Sequence, residues 1–162
     1  GIFGRGFAGL KGKNVVNSKV SMDKNLALPF LGAEKPAFFS VQLFDTWIKD
    51  FQASENVVQL VGFGQASKQH SSLITMILGL SYANGTVAPQ LVAGHDLTYG
   101  GGFIVPSVSF QYGKNWRFKI EYDHFYNNGQ RTASNAATER DTALFGYFAH
   151  NNQLYAKLTY QF

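Results

Sequence analysis

The sequence lacks cysteine and long apolar runs, and each absence excludes a class of protein. Without cysteine, the chain has no disulfide framework and no thiolate metal site. No stretch of about 18 consecutive apolar residues occurs, which excludes a transmembrane helix. No signal-peptide pattern appears in the sequence as given, which starts at Gly1 rather than Met. We therefore expect a mature or truncated product.

Charged residues are also scarce, while aromatic residues and glycine are abundant. Charged residues make up 15% of the chain, against roughly 25% in soluble domains. The net charge is +4, but no cluster of Lys and Arg with stacking aromatics points to nucleic acid. We expect the basic N-terminal residues in a solvated loop or against lipopolysaccharide. The 15 Phe, 8 Tyr and 17 Gly favour short strands that contact lipid and turn tightly.

The last ten residues of the chain, 153–162, alternate between apolar and polar side chains. This period of two predicts a strand with one apolar and one polar face, as on a half-buried soluble strand. Ending on an aromatic residue, with Tyr160 two positions earlier, is less expected in a soluble protein. The segment resembles the terminal strand that bacterial outer-membrane proteins present to their assembly machinery. We therefore expect the barrel-assembly machinery to bind the end at Phe162.

Residues 116–126 (WRFKIEYDHFY) alternate most regularly, with rings on one face and charges on the other. In a soluble sandwich the charges would face solvent, whereas in a membrane barrel they would face the lumen and the rings lipid. Weaker alternation predicts further strands, and two prolines inside them, Pro89 and Pro106, predict bulges or local breaks in pairing. We expect about six antiparallel membrane strands in residues 37–162, after a poorly readable loop and strand region at 1–36, all within a single barrel segment at 1–162.

The lengths of the connections alternate as in an outer-membrane barrel. The long segments 49–71 and 127–152 fall on the predicted extracellular side, together with the shorter 97–101. The short segment 113–115 and a two-residue hairpin at Asn84-Gly85 fall on the periplasmic side. The final loop contains an apolar stretch, 142–150, which we expect to extend the last strand pair. The alternatives are a constriction in the lumen, a cover for the barrel mouth or a partner contact.

Aromatic residues concentrate at the predicted strand ends. Those at periplasmic ends are Tyr82, Tyr112, Trp116, Tyr160 and Phe162, and those near extracellular ends are Trp47, Tyr99, Tyr122 and Tyr126. Two such bands are typical of the aromatic girdles at the membrane interfaces. The alternative is the general preference of aromatic residues for strands.

These patterns predict an all-β fold, namely an antiparallel up-and-down transmembrane β-barrel or the C-terminal strands of a larger one. Six strands cannot close a bacterial barrel, which needs eight or more. An open edge in lipid would leave backbone groups unpaired. Either residues 1–36 supply two strands or the missing strands lie on another chain or segment, and we favour the second.

Three segments carry a family resemblance: 36–48 (PAFFSVQLFDTWI), 101–126 (GGFIVPSVSFQYGKNWRFKIEYDHFY) and 154–162 (LYAKLTYQF). Together they look like the C-terminal portion of a porin-like family of Gram-negative outer-membrane β-barrels of unknown function. The resemblance implies an outer-membrane location, contact with outer-membrane lipid and passage of small or apolar solutes. The resemblance implies no catalytic residues.

We expect a passive, non-enzymatic, porin-like channel without cofactor or metal. The predicted pore-lining residues are Gln42, Gln90, Gln111, Arg117, Lys119, Glu121, Asp123 and Lys157. Basic residues near the periplasm and acidic residues farther out would create an electric field along the pore axis. The alternative is that these residues form ion pairs inside a filled barrel. The four histidines show no metal-ligand spacing, and no motif supports a hydrolase site. The alternatives are a structural barrel that sheathes or anchors an electron-transfer or export partner in its lumen, and a soluble β-sandwich.

Overall fold

The computed structural model describes residues 13–55, 67–127 and 144–162. Within them, seven strands form one antiparallel sheet in which each strand pairs with the next along the chain. The strands are β1 (Val15–Leu26), β2 (Ala37–Ile48), β3 (His70–Gly79), β4 (Val87–Asp96), β5 (Gly102–Tyr112), β6 (Trp116–Tyr126) and β7 (Gln153–Tyr160). Short 3-10 turns occupy Pro29–Leu31, Ala53–Glu55 and Ala83–Gly85, and one short helix, α1, spans Leu144–Phe148.

The predicted all-β class with antiparallel, up-and-down order is confirmed. β6 has the bounds that the alternation of residues 116–126 indicates. β1 lies in the region that the sequence left poorly readable, and residues 1–12, which precede it, lie outside the described residues. The sheet is not closed, because β1 and β7 each pair with a single neighbour. The barrel itself therefore stays a prediction.

The two strand prolines mark local breaks in pairing. Between β5 and β6, residues 105 and 106 have no paired residue, although the pairs on either side, Ile104↔His124 and Ser107↔Glu121, keep the same register. Pro106 therefore interrupts the ladder without a bulge. The carbonyl of Pro89 accepts a hydrogen bond from the backbone N–H of Leu80 at 2.9 Å. Pro89 cannot donate in return because it has no N–H, and the β3–β4 ladder ends one pair earlier.

The hairpin between β3 and β4 differs from the predicted two-residue turn. Tyr82 and Val87 exchange backbone hydrogen bonds of 2.9 and 3.2 Å, so residues 83–86 form the connection. Ala83, Asn84 and Gly85 all have positive φ, a left-handed conformation that Gly and Asn adopt more readily than other residues. The Asn84-Gly85 signal marked the turn correctly but not its length.

The apolar stretch in the last loop does not extend the final strand pair, so that expectation is wrong. Residues 144–148 form α1, and β7 begins at Gln153. Phe145 is buried and packs against Phe103 with ring centroids 5.6 Å apart, while Phe148 packs against Phe125 at 5.8 Å. The helix thus covers an apolar spot at one end of β5 and β6. None of the helices in the described ranges is long and apolar enough to cross a membrane.

Candidate functional site

The two faces of the sheet differ in chemistry, most clearly along β6 and β7. Residues paired across neighbouring strands lie on the same face, and alternate residues along a strand lie on opposite faces. By this register, one face carries all the predicted pore-lining residues, namely Gln42, Gln90, Gln111, Arg117, Lys119, Glu121, Asp123 and Lys157. We call it the polar face. The apolar face is the opposite side, which carries Trp116, Phe118, Ile120 and Tyr122.

The described residues leave the apolar face uncovered. Phe118 is 41% exposed, Ile120 49% and Leu158 59%. Other exposed large residues on the same face are Val16, Val20, Met22, Leu43, Trp47, Ile104, Phe110, Tyr112, Trp116, Tyr122, Leu154 and Tyr160. The buried apolar residues of the described ranges are only Ala37, Tyr99, Phe145 and Ala149. No second layer of described residues packs on this face, as a β-sandwich would require.

Aromatic rings gather at the end of the apolar face where the 113–115 turn lies. The Trp116 ring meets the Tyr160 ring edge-on at 4.8 Å, and Tyr160 meets Phe162 in the same way at 5.1 Å. Tyr112 pairs with Trp116 across β5 and β6 and is 76% exposed. Tyr82, in the neighbouring turn, donates a hydrogen bond to the carbonyl of Leu31 at 3.0 Å. The structure thus brings Tyr112, Trp116, Tyr160 and Phe162 together.

At the other end of the apolar face, rings stack along and across strands. Tyr122, His124 and Tyr126 follow one another on β6, with centroids 6.2 and 6.4 Å apart. Tyr126 then stacks on His95 of β4 at 5.9 Å. On β2, Trp47 stacks on His70 at 5.7 Å. The sequence offered the histidines only as candidate metal ligands or catalytic residues. The alternation that places Tyr122 on this face also places His124 there.

Tyr99 departs from its predicted place in the outer girdle. It is 5% exposed, and its hydroxyl accepts a hydrogen bond from the backbone N–H of Lys68 at 2.7 Å. Burial raises the pKa of Tyr99 above 10.0, the Lys68 hydrogen bond opposes this shift, and the charge of Asp96 adds to it. Lys68 also places its ammonium 5.5 Å from the centre of the ring. Tyr99 therefore joins the 97–101 connection to the segment before β3 and does not face outward.

On the polar face of β6, the basic residues lie nearer the 113–115 turn and the acidic residues lie farther from it. Glu121 forms an ion pair with Lys119 at 2.6 Å, and Asp123 accepts a hydrogen bond from Gln153 at 2.6 Å. Closer to the 113–115 turn lies a cavity of about 460 Å³ whose charged lining residues are Arg117, Lys119 and Lys157. Within the described ranges, neither Arg117 nor Lys157 has an ion-pair partner. The order of basic and acidic residues is the one the sequence indicates.

Asp45 is a polar residue on the apolar face, near Ser72 and His70. It accepts a hydrogen bond from the Ser72 hydroxyl at 2.6 Å and lies 3.8 Å from His70 Nδ1. In a catalytic triad the serine would instead donate to the imidazole, so this arrangement does not activate a nucleophile. The described part of the chain holds no group of three or more metal-ligating side chains.

No known protein family, curated protein or solved structure matches this chain. The resemblance to a porin-like outer-membrane family therefore stays a prediction.

Proposed function

We propose that this chain is part of a porin-like outer-membrane channel that lets small solutes cross passively. One observation carries the proposal: among the described residues, the sheet has a wide, uncovered, ring-rich apolar face opposite a face that carries the charged residues of β6 and β7. Exposed apolar patches larger than a few hundred Å² are rare on soluble monomers. In a membrane barrel, the apolar face meets hydrocarbon and the polar face lines water.

The free edges of β1 and β7 indicate what completes the barrel. In an antiparallel sheet of seven strands, the first and the last run in the same direction. An antiparallel closure therefore needs an odd number of further strands between them, which also gives the even total usual for bacterial barrels. A second copy of these seven strands, in the same orientation across the membrane, would create two parallel seams. The partner at these edges is thus a set of strands of different number.

Helix α1 would partly fill the lumen of such a barrel. It packs through Phe145 on Phe103, a residue of the polar face. A short segment folded inward from an external loop narrows a pore and limits the size of the solutes that pass. In this proposal α1 is the constriction.

Conductance across planar lipid bilayers tests the proposal. The chain assembled with the strands that close the barrel, folded in detergent and added to one side, should produce discrete current steps, and the heat-denatured assembly should produce none. A protein that inserts fully into the bilayer, as shown by protease protection, but carries no current would reject the channel.

A further inference from the structure

We infer that the basic cavity at the turn end of the polar face binds small anions that carry carboxylate or phosphate groups. This inference adds a solute class to the proposed channel and rests on it for its role in transport. The anion site itself requires only the folded sheet.

Two cross-strand rows on β5, β6 and β7 build the cavity. Ser109, Lys119 and Lys157 are paired in one row, and Gln111, Arg117 and Thr159 in the next. Thr86, from the connection before β4, closes one side. The cavity, at about 460 Å³, is within the size range of small-ligand sites.

The lining is positive and holds no carboxylate. Its charged residues are Arg117, Lys119 and Lys157. Glu121 lies next to the cavity and pairs with Lys119 at 2.6 Å, so a net positive charge remains. Lys119 and Lys157 stand directly opposite each other, and like charges in this position repel. An anion between the strands would offset this repulsion.

The donors suit an oxyanion. Arg117 offers a planar fork that matches carboxylate or phosphate in a bidentate arrangement, and Lys157 adds a mobile ammonium. The hydroxyls of Ser109 and Thr159 supply neutral donors on both sides. Gln111 donates one N–H of its side-chain amide to the carbonyl of Gly113 at 3.2 Å, which leaves its second N–H as a further neutral donor.

Binding of inorganic phosphate to the detergent-folded protein, measured by calorimetry, tests the site without any need for conduction. Arg117→Gln combined with Lys157→Gln should weaken phosphate binding by about tenfold or more, since it removes charged hydrogen bonds. Lys114→Gln is the matched control, because Lys114 lies in the adjacent turn and does not line the cavity. Equal weakening by the control, or no binding by the unaltered protein, would overturn the inference.

The same variants, each placed in the chain assembled with its closing strands, separate the site from the channel in planar bilayers. With a KCl gradient, the reversal potential of the unaltered protein should indicate preference for chloride, and phosphate should reduce the current. The double variant should lose both effects, whereas Lys114→Gln should keep them. Phosphate binding without any current would support the site and reject the channel. Current without anion preference or phosphate binding would reject the site and leave the channel standing.

Discussion

The hydroxyl of Tyr126 lies 3.0 Å from Nδ1 of His95, and its ring reaches that position by crossing over Gly102. Gly102 pairs with His95 on one side and with Tyr126 on the other. A Cβ atom at Gly102 would lie 2.1 Å from the carbonyl oxygen of Gly94 and 2.7 Å from the Tyr126 hydroxyl oxygen. The ring contact between β4 and β6 therefore depends on a missing side chain in β5.

Gly102→Ala should destabilise the folded protein by about 1–3 kcal/mol, as overpacking does in well-packed sites. Backbone and ring must both shift, because the nearest atom is a backbone carbonyl. The measurement is the midpoint of urea unfolding in detergent, followed by circular dichroism. Gly79→Ala is the control, since its added Cβ would meet only Phe38 Cβ, at 3.9 Å. Equal midpoints for the two variants would contradict the described contact.

Phe145→Ala should raise the single-channel conductance of the barrel that this chain completes with its closing strands. Phe145 is the buried residue that holds α1 against Phe103, and its truncation removes most of that contact. The helix should then leave the polar face and widen the passage. Leu144→Ala is the control, because Leu144 is 38% exposed on the same helix and should conduct like the unaltered protein. Unchanged conductance after Phe145→Ala would mean that α1 does not constrict the pore.

Tyr99 should make stability fall at alkaline pH. Its pKa is raised by burial in the folded state, so the unfolded chain ionises at lower pH than the folded one. The stabilisation is complete below about pH 10, the ordinary pKa of tyrosine, and is lost as the pH rises through the folded value. The difference between the free energies of unfolding at pH 8 and above pH 10 measures this loss of stability.

Tyr99→Phe serves as the reference for that experiment. The variant should lose about 0.5–1.5 kcal/mol at pH 8, because the N–H of Lys68 loses its acceptor. It should also show a smaller fall in stability at alkaline pH, since the other tyrosines titrate in both proteins. Identical alkaline falls in the two proteins would rule out Tyr99 as the source.

The sequence predicts the parts of this fold that depend on local alternation. Along β6, every second residue from Trp116 to Tyr122 is apolar, and this pattern alone identifies the strand and its two faces. The polar face follows from the same period of two, and four of the cavity-lining residues, Gln111, Arg117, Lys119 and Lys157, were among the predicted pore-lining residues.

Features that depend on contacts between distant segments could not be predicted. Helix α1 forms where Phe145 meets Phe103, far away in sequence, and the residues of α1 alone fit a strand equally well. The burial of Tyr99 depends on Lys68 in another connection. Asp45 interrupts the apolar pattern of β2, and its partners Ser72 and His70 become visible only once β3 is paired beside it.

Spin labels at two adjacent positions of β5 test most directly whether the apolar face meets lipid. The chain has no cysteine, so Val108→Cys and Ser109→Cys each give one labelling site, on the apolar and the polar face respectively. In lipid vesicles, the label at 108 should collide mainly with oxygen, which dissolves in hydrocarbon, and the label at 109 mainly with a water-soluble nickel complex. Equal access of the nickel complex to both positions, or burial of position 108 from both reagents, would contradict the membrane account.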